Sequence, residues 1–223
     1  MKLIESQSLR AQSRKYFVKS YQALFSVKGA LLGRSPQAPY SLQMVSPNDV
    51  HYAVTGATCS KIGVRIPFIL DGTWDQEIEL EGPSGLAGDL SLLPTGIIAI
   101  EKMDVYQAFK DRFSHGCRWQ TTEFYRRVSL QIECGYRKWS CGNIQEFEAR
   151  LDFLDRLFET IGKHGYKTQL ELGTHKVWHE IAVGEAKKGV IVLVDGRHRF
   201  LMCKLLGLDS VPVVVAVRDR TML

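Results

Sequence analysis

The chain has 223 residues, 45% of them hydrophobic and 24% charged, which supplies an ordinary core and excludes a disordered chain; one domain with an appendage, or two small ones, is expected. No run of eighteen apolar residues is present to span a bilayer as a helix, and the N-terminus lacks the apolar stretch and small-residue cleavage site of a secretory signal, so a cytoplasmic location is expected. The formal charge is +5, but residues 1–40 hold seven Lys and Arg against Glu5 alone, which leaves a net of −1 for the rest; basicity belongs to the N-terminal segment.

In chain order, "SLRAQSRKYFVKSYQALFSVK" from Ser8 to Lys28 spaces Leu9, Phe17, Tyr21, Leu24 and Phe25 along one helical stripe, with Arg10, Arg14, Lys15 and Lys19 largely elsewhere. Such a basic amphipathic helix suits an anionic membrane surface or a nucleic acid, but a stripe packed on the protein's own body with a solvated basic face is the reading favoured. "GRSPQAP" at 33–39 reads as a linker. Residues 40–95 alternate short apolar runs such as "VHYAV", "GVRIPFIL" and "QEIELEG" with turn signals, and predict a strand-rich region.

Helical periodicity follows at 103–113, at 121–135 with Thr121 or Thr122 as cap, and at 143–165. The last has Asn143 before it, Glu146 at capping-box spacing, Phe147, Leu151, Leu154, Leu157 and Phe158 on one face, and Gly165 at its end. Beyond it are a strand near Trp178–Val183, a hairpin turn at "GEAKKG", the apolar strand "VIVLV", a helix from Arg197 to Leu206 stopped by Gly207, and the strand "VPVVVAV". The class expected is α/β in the broad sense that includes α+β.

The five cysteines, Cys59, Cys117, Cys134, Cys141 and Cys203, include no CxxC pair and are odd in number, which predicts reduced thiols and no zinc. His175 and His179 would share a helix face, but Val177 and Trp178 indicate a strand, where such residues lie about 13 Å apart; no metal site is expected. Trp74, Trp119 and Tyr125, beside turns, suit core anchors better than a base-stacking platform.

"DGRHRF" at 195–200 carries the chemistry. A helix N-terminus already bears about half a positive charge and unpaired amides. Adding Arg197, His198 and Arg199 there is repulsive unless an anion is near, and Asp195 as an N-cap supplies only one carboxylate. An external phosphate or carboxylate would match the guanidinium forks. The alternative is that the arginines are solvated, or pair with Glu171, Glu180 or Glu185, while His198 fills a core niche.

The block "VIVLVDGRHRFLMCKLLGLDSVPVVV" resembles the signature of the ParB/sulfiredoxin superfamily, in which a strand ends in a Gly-x-x-Arg or Gly-x-His-Arg turn, a small and apolar helix follows, and "G-x-x-x-V-P-V" leads into the next strand. "LDRLFETIGKHGYKTQLEL" is similar to the family's preceding helix-Gly segment, with Gly165 and Gln169 in place of its Gly and Gln, and "GIIAIEKMDVYQAF" at 96–109 resembles its opening strand and turn. The stretch from "DRFSHGCRWQTTEFYRRV" through "DGRHRF" is also similar to uncharacterised proteins, frequent in archaea, that carry this domain with a helical insert. The patterning gives residues 1–39 as basic helix and linker and 40–95 as a strand-rich region, and the resemblance implies 96–223 as a ParB/sulfiredoxin-like domain with a small mixed sheet and an insert at about 114–149.

It further implies a nucleotide, ATP, ADP or CTP, with Mg²⁺, bound through Asp195, Gly196, Arg197, His198, Arg199 and Gln169. In a kinase-like member Glu101 and Asp104 would serve as base or metal contact, with His198 at the phosphates; both acids also suit solvated helix starts. A phosphotransferase or nucleotide hydrolase acting on a small-molecule acceptor is the first function expected, and a nucleotide-gated DNA- or partner-binding module of ParB type is the second. Sulfiredoxin's catalytic cysteine falls at Arg197, which puts that chemistry in doubt, and Cys203 reads as a buried small hydrophobe. The ParB-type acidic-Asn-x-x-Arg segment is missing after the third strand and no helix-turn-helix follows it, so DNA binding would rest on the basic N-terminal helix.

Overall fold

The computed structural model describes residues 42–54, 79–80, 96–174, 179–186 and 189–218. The helix expected over Ser8–Lys28, the linker at 33–39, Cys59, Trp74 and His175 lie outside the described residues.

Seven strands form one mixed sheet: β1 (Leu42–Val45), β2 (Tyr52–Val54), β3 (Glu79–Leu80), β4 (Gly96–Ala99), β5 (Ile181–Glu185), β6 (Ile191–Asp195) and β7 (Val211–Arg218), in the order β1-β7-β5-β6-β2-β4-β3. β5 and β6 are an antiparallel hairpin, closed where the Ala186 amide donates to Val190 O at 2.8 Å, as "GEAKKG" predicts. β7 lies parallel to β5, and β2 parallel to β6. The strands described from the region 40–95 thus complete the same sheet as the C-terminal unit. The reason is β6: Val192, Leu193 and Val194 are all buried, which requires neighbours on both edges and cover on both faces.

Four helices are described: α1 (Asp104–Phe113), α2 (Glu123–Glu133), α3 (Ile144–His164) and α4 (Arg197–Leu205). Alternation along the strands sends Ala53, Ile98, Ile181, Val183, Leu193, Val213 and Val215 into the main core with the helices. Val54, Ile97, Ala182, Val192, Val194 and Val214 form a smaller apolar cluster on the other face. α4 is the central helix, with Phe200, Leu201, Met202 and Cys203 fully buried. At its far end Lys204 Nζ donates to Pro47 O at 2.8 Å and to Val50 O at 3.2 Å, holding the turn between β1 and β2.

Sequence signals locate the helix ends well. Thr122 Oγ1 accepts the Tyr125 amide at 3.1 Å, and Asn143 Oδ1 accepts the Glu146 amide at 2.8 Å. Glu146 completes its box one residue early, on the Gly142 amide at 2.7 Å. α3 ends at Gly165, whose φ of 72° suits glycine. Asn143→Ala is expected to cost about 1 kcal/mol, read as a fall of roughly 3 °C in the thermal midpoint; an unchanged midpoint would show that Glu146 alone secures this end.

α1 and α3 are tied by Arg112, which grips both carboxylate oxygens of Asp155 at 3.2 and 2.6 Å, while Trp119 Nε1 donates to the same carboxylate at 3.0 Å. Phe113 stacks on Phe158 at 3.9 Å. Trp119 is buried and Tyr125 half-buried, consistent with the anchoring role expected of both. Among the described residues no helix is long and apolar enough to cross a membrane.

Candidate functional site

β6 carries the chain to Asp195 and Gly196. Gly196 has φ 73° and ψ 22°, and a Cβ there would stand 2.8 Å from the Ile181 Cα of β5. Positive φ and backbone contact together require glycine. Asp195 does not cap the helix: Gly196 occupies the cap position, and exposed Asp195 turns its Oδ1 to the Gly196 amide at 2.7 Å. A glycine cap has no side-chain acceptor, so the amides of Arg197, His198 and Arg199 have no protein acceptor among the described residues.

The three basic side chains diverge from this turn. Arg197 Nη2 donates to Val54 O at 2.7 Å, joining the helix start to the end of β2. His198 lies between Trp139 and Phe109, with ring centroids 4.1 and 5.9 Å away. Arg199 Nη1 donates to Tyr166 Oη at 3.2 Å, and Tyr166 Oη donates to Glu180 Oε2 at 3.1 Å. The other oxygen, Glu180 Oε1, accepts the Gln169 amide at 2.5 Å.

Burial, reinforced by the charges of Arg197, Arg150 and Arg199, lowers the His198 pKa to about 3. The imidazole is therefore neutral at physiological pH, and the helix start carries two charges rather than three. His198 is half-buried and packs against the Trp139 and Phe109 rings. Glu180 is buried and its pKa is raised by that burial, against the opposing effects of the Gln169 amide, the Tyr166 hydroxyl and Arg199. Burial likewise raises the Tyr166 pKa and pushes that of Cys203, which is fully enclosed, to about 12. Cys203 is thus an inert core thiol.

Among the described residues neither Arg197 nor Arg199 forms an ion pair. Arg199 meets the acid expected as its partner, Glu180, only through the tyrosine. Among the described residues each guanidinium has one hydrogen bond on one of its five N–H groups, which leaves donors at the turn.

Glu101 and Asp104 are not brought to this turn. Tyr52 pairs with both Val192 and Ala99, so β4 ends level with Val192, four residues and about 13 Å short of Gly196 along the sheet. Neither acid lies on the strand: Glu101 sits in the 3-10 turn Ile100–Lys102, and Asp104 opens α1. Glu101 lies within electrostatic reach of Lys204, at the opposite end of α4. Asp104 is bound by Arg127, whose Nε donates to Oδ2 at 2.7 Å, and its other oxygen accepts the Val105 amide. Gln169 does reach the site, but through its backbone, since its Oε1 accepts from Thr174 Oγ1 at 2.9 Å.

Tyr166 and Trp139 carry no sequence signal for this place. Trp139 (φ 53°) and Ser140 (φ 65°) form a two-residue turn between Lys138 and Cys141, with positive φ at residues other than glycine. Such geometry costs of order 1–2 kcal/mol per residue. Packing of the Trp139 ring on His198, Phe124 and Phe147 offsets it.

Chemically the arrangement can receive an anion: the first-turn amides have no acceptor among the described residues, Gly196 is pressed on β5, and two arginines are held by neutral acceptors. Asp195 is the acid placed at the turn itself, and no group of three or more His, Cys, Asp or Glu able to hold a metal ion occurs among the described residues. Comparison with protein-family models, curated proteins and solved structures returns no match to this chain.

Proposed function

We propose that this chain is a ParB/sulfiredoxin-like protein that binds the phosphates of a nucleotide, ATP, ADP or CTP, at the turn from Gly196 to Arg199. The observation that carries the reading is the uncapped start of α4 after a glycine pressed on β5, with amides at 197–199 free of acceptors among the described residues. Arg197 and Arg199 flank it, tethered to Val54 O and Tyr166 Oη. Tethering reduces the entropy lost when a phosphate is gripped.

Binding takes precedence over phosphoryl transfer in this proposal, because Glu101 is remote and Asp104 is committed to Arg127. His198, neutral and enclosed by aromatic rings, orients the turn by packing rather than by charge. If transfer occurs, the base at the turn is Asp195, and Mg²⁺ arriving with the nucleotide neutralises phosphate charge. A cytoplasmic location belongs to the same proposal, supported by the free thiols of Cys117, Cys134, Cys141 and Cys203.

Calorimetry with ATP, ADP and CTP, each with Mg²⁺, is expected to detect binding to the wild type that Arg199→Ala weakens at least tenfold, in keeping with loss of a charge-assisted contact. Absence of binding to all three, or binding indifferent to Arg199→Ala, overturns the reading. Turnover of the bound nucleotide with a hydroxyl acceptor would place transfer first. Salt-dependent duplex binding gated by the nucleotide would place the DNA-binding module first.

A further inference from the structure

Arg199 and Gln169 lie on separate elements, α4 and the turn after α3, yet both lead to the same carboxylate, Gln169 directly and Arg199 through Tyr166. Glu180 stands immediately before β5 and is 3% exposed. One of its oxygens takes the Gln169 amide and the other the Tyr166 hydroxyl, which in turn accepts from Arg199 Nη1. Tyr166 follows the helix-ending Gly165, so its placement depends on where α3 stops.

A buried carboxylate without partners would be very costly, and Glu180 avoids that through two hydrogen bonds and the nearby positive charge. The tyrosine interposed between Glu180 and Arg199 matters for function. A direct ion pair would engage two guanidinium donors and neutralise the arginine; a neutral hydroxyl acceptor engages one and leaves the charge and remaining donors for an anion.

We propose that Tyr166 and Glu180 are positioning residues of the phosphate site, with Tyr166 holding the Arg199 guanidinium at the turn while keeping its charge free for the ligand. The inference rests on the phosphate-binding reading of the same turn. It assigns Glu180 the role of a shared anchor that sets the turn at Gln169 and the arginine in register.

The test is a double-mutant cycle of Tyr166→Phe with Arg199→Ala, using ATP, CTP and inorganic triphosphate with Mg²⁺ as probes and thermal midpoints as a check of folding. Tyr166→Phe is expected to weaken the bound probe about tenfold and to have no further effect in the Arg199→Ala background, because a positioning role vanishes with the group positioned. Glu180→Gln, which keeps the shape, is expected to do the same, and the Arg199 Nε–H resonance is expected to become mobile in both variants even without a probe. Wild-type affinity in Tyr166→Phe, or an equal loss with and without Arg199, overturns the positioning role alone. A wild type that binds none of the probes overturns the phosphate reading and this inference with it.

Discussion

Gly196→Ala is expected to lower the thermal unfolding midpoint by roughly 10 °C, the shift that about 3 kcal/mol produces in a chain of this size. Two costs combine. A Cβ on a residue at φ 73° is strained by about 1 kcal/mol. It would also stand 2.8 Å from Ile181 Cα and 3.1 Å from Ile181 Cγ1, and β5 cannot recede because it is paired on both edges; such overpacking costs typically 1–3 kcal/mol. Gly207→Ala separates the two, since that glycine has φ 66° but open space where the Cβ would go. It should carry the first cost alone. Equal midpoints for the two variants would mean that the contact with β5 relaxes freely. Relief of the clash would swing the first turn of α4, so nucleotide binding is expected to be lost as well.

The second large effect is acid sensitivity centred on His198. Its pKa is 6.5 in a free chain and about 3 in its niche, so between these values the unfolded state binds a proton that the folded state refuses. This contribution to stability is complete above pH 6.5 and is lost as pH falls towards 3. At pH 4.5 the loss is on the order of 2 kcal/mol. His198→Phe, which fills the space between Trp139 and Phe109 without a titrating group, is expected to be near wild type at pH 7 and more resistant to urea than wild type at pH 4.5. Carboxylates titrate in both proteins, so the difference between their midpoints reports His198. Parallel acid profiles would show that the imidazole takes up its proton in the folded state, against the repulsion of Arg197, Arg199 and Arg150.

Both predictions come from one turn, and the two residues were legible in the sequence to different degrees. Gly196 was readable as a turn glycine because the glycine follows an apolar strand and precedes a helix. Its contact with Ile181 was not, since the partner strand lies on another segment. His198 was readable as a member of a basic cluster, and the sequence supported an anion contact and a core niche alike. Burial beneath Trp139 decided for the niche. That tryptophan is brought over the turn by the segment between α2 and α3, and no local pattern announces it.

The acids show the same limit. Glu101 and Asp104 precede the charge cluster in the chain and suited a catalytic role by resemblance, but β4 runs antiparallel to β2 and ends short of the turn, which leaves Glu101 near Lys204 at the other end of α4 and Asp104 bound to Arg127. Arg127, which occupies Asp104, lies 23 residues away on α2. Tyr166 and Arg199 are 33 residues apart, and Arg197 and Val54 143.

What the sequence determined by itself was therefore local: the helix ends at Asn143 and Gly165, a threonine cap at 121 or 122, the hairpin before β6, the buried character of β6, and the strand-glycine-helix turn. These depend on hydrogen bonds and apolar spacing within one or two turns of chain, and residue order encodes them directly. The tertiary structure alone decided that β1 and β2 join the C-terminal sheet, that His198 is neutral, and that Arg199 answers to Glu180 through Tyr166. Those outcomes depend on burial and on partners supplied by distant segments, and desolvation in the folded core, rather than residue type, sets the charge and reach of each group.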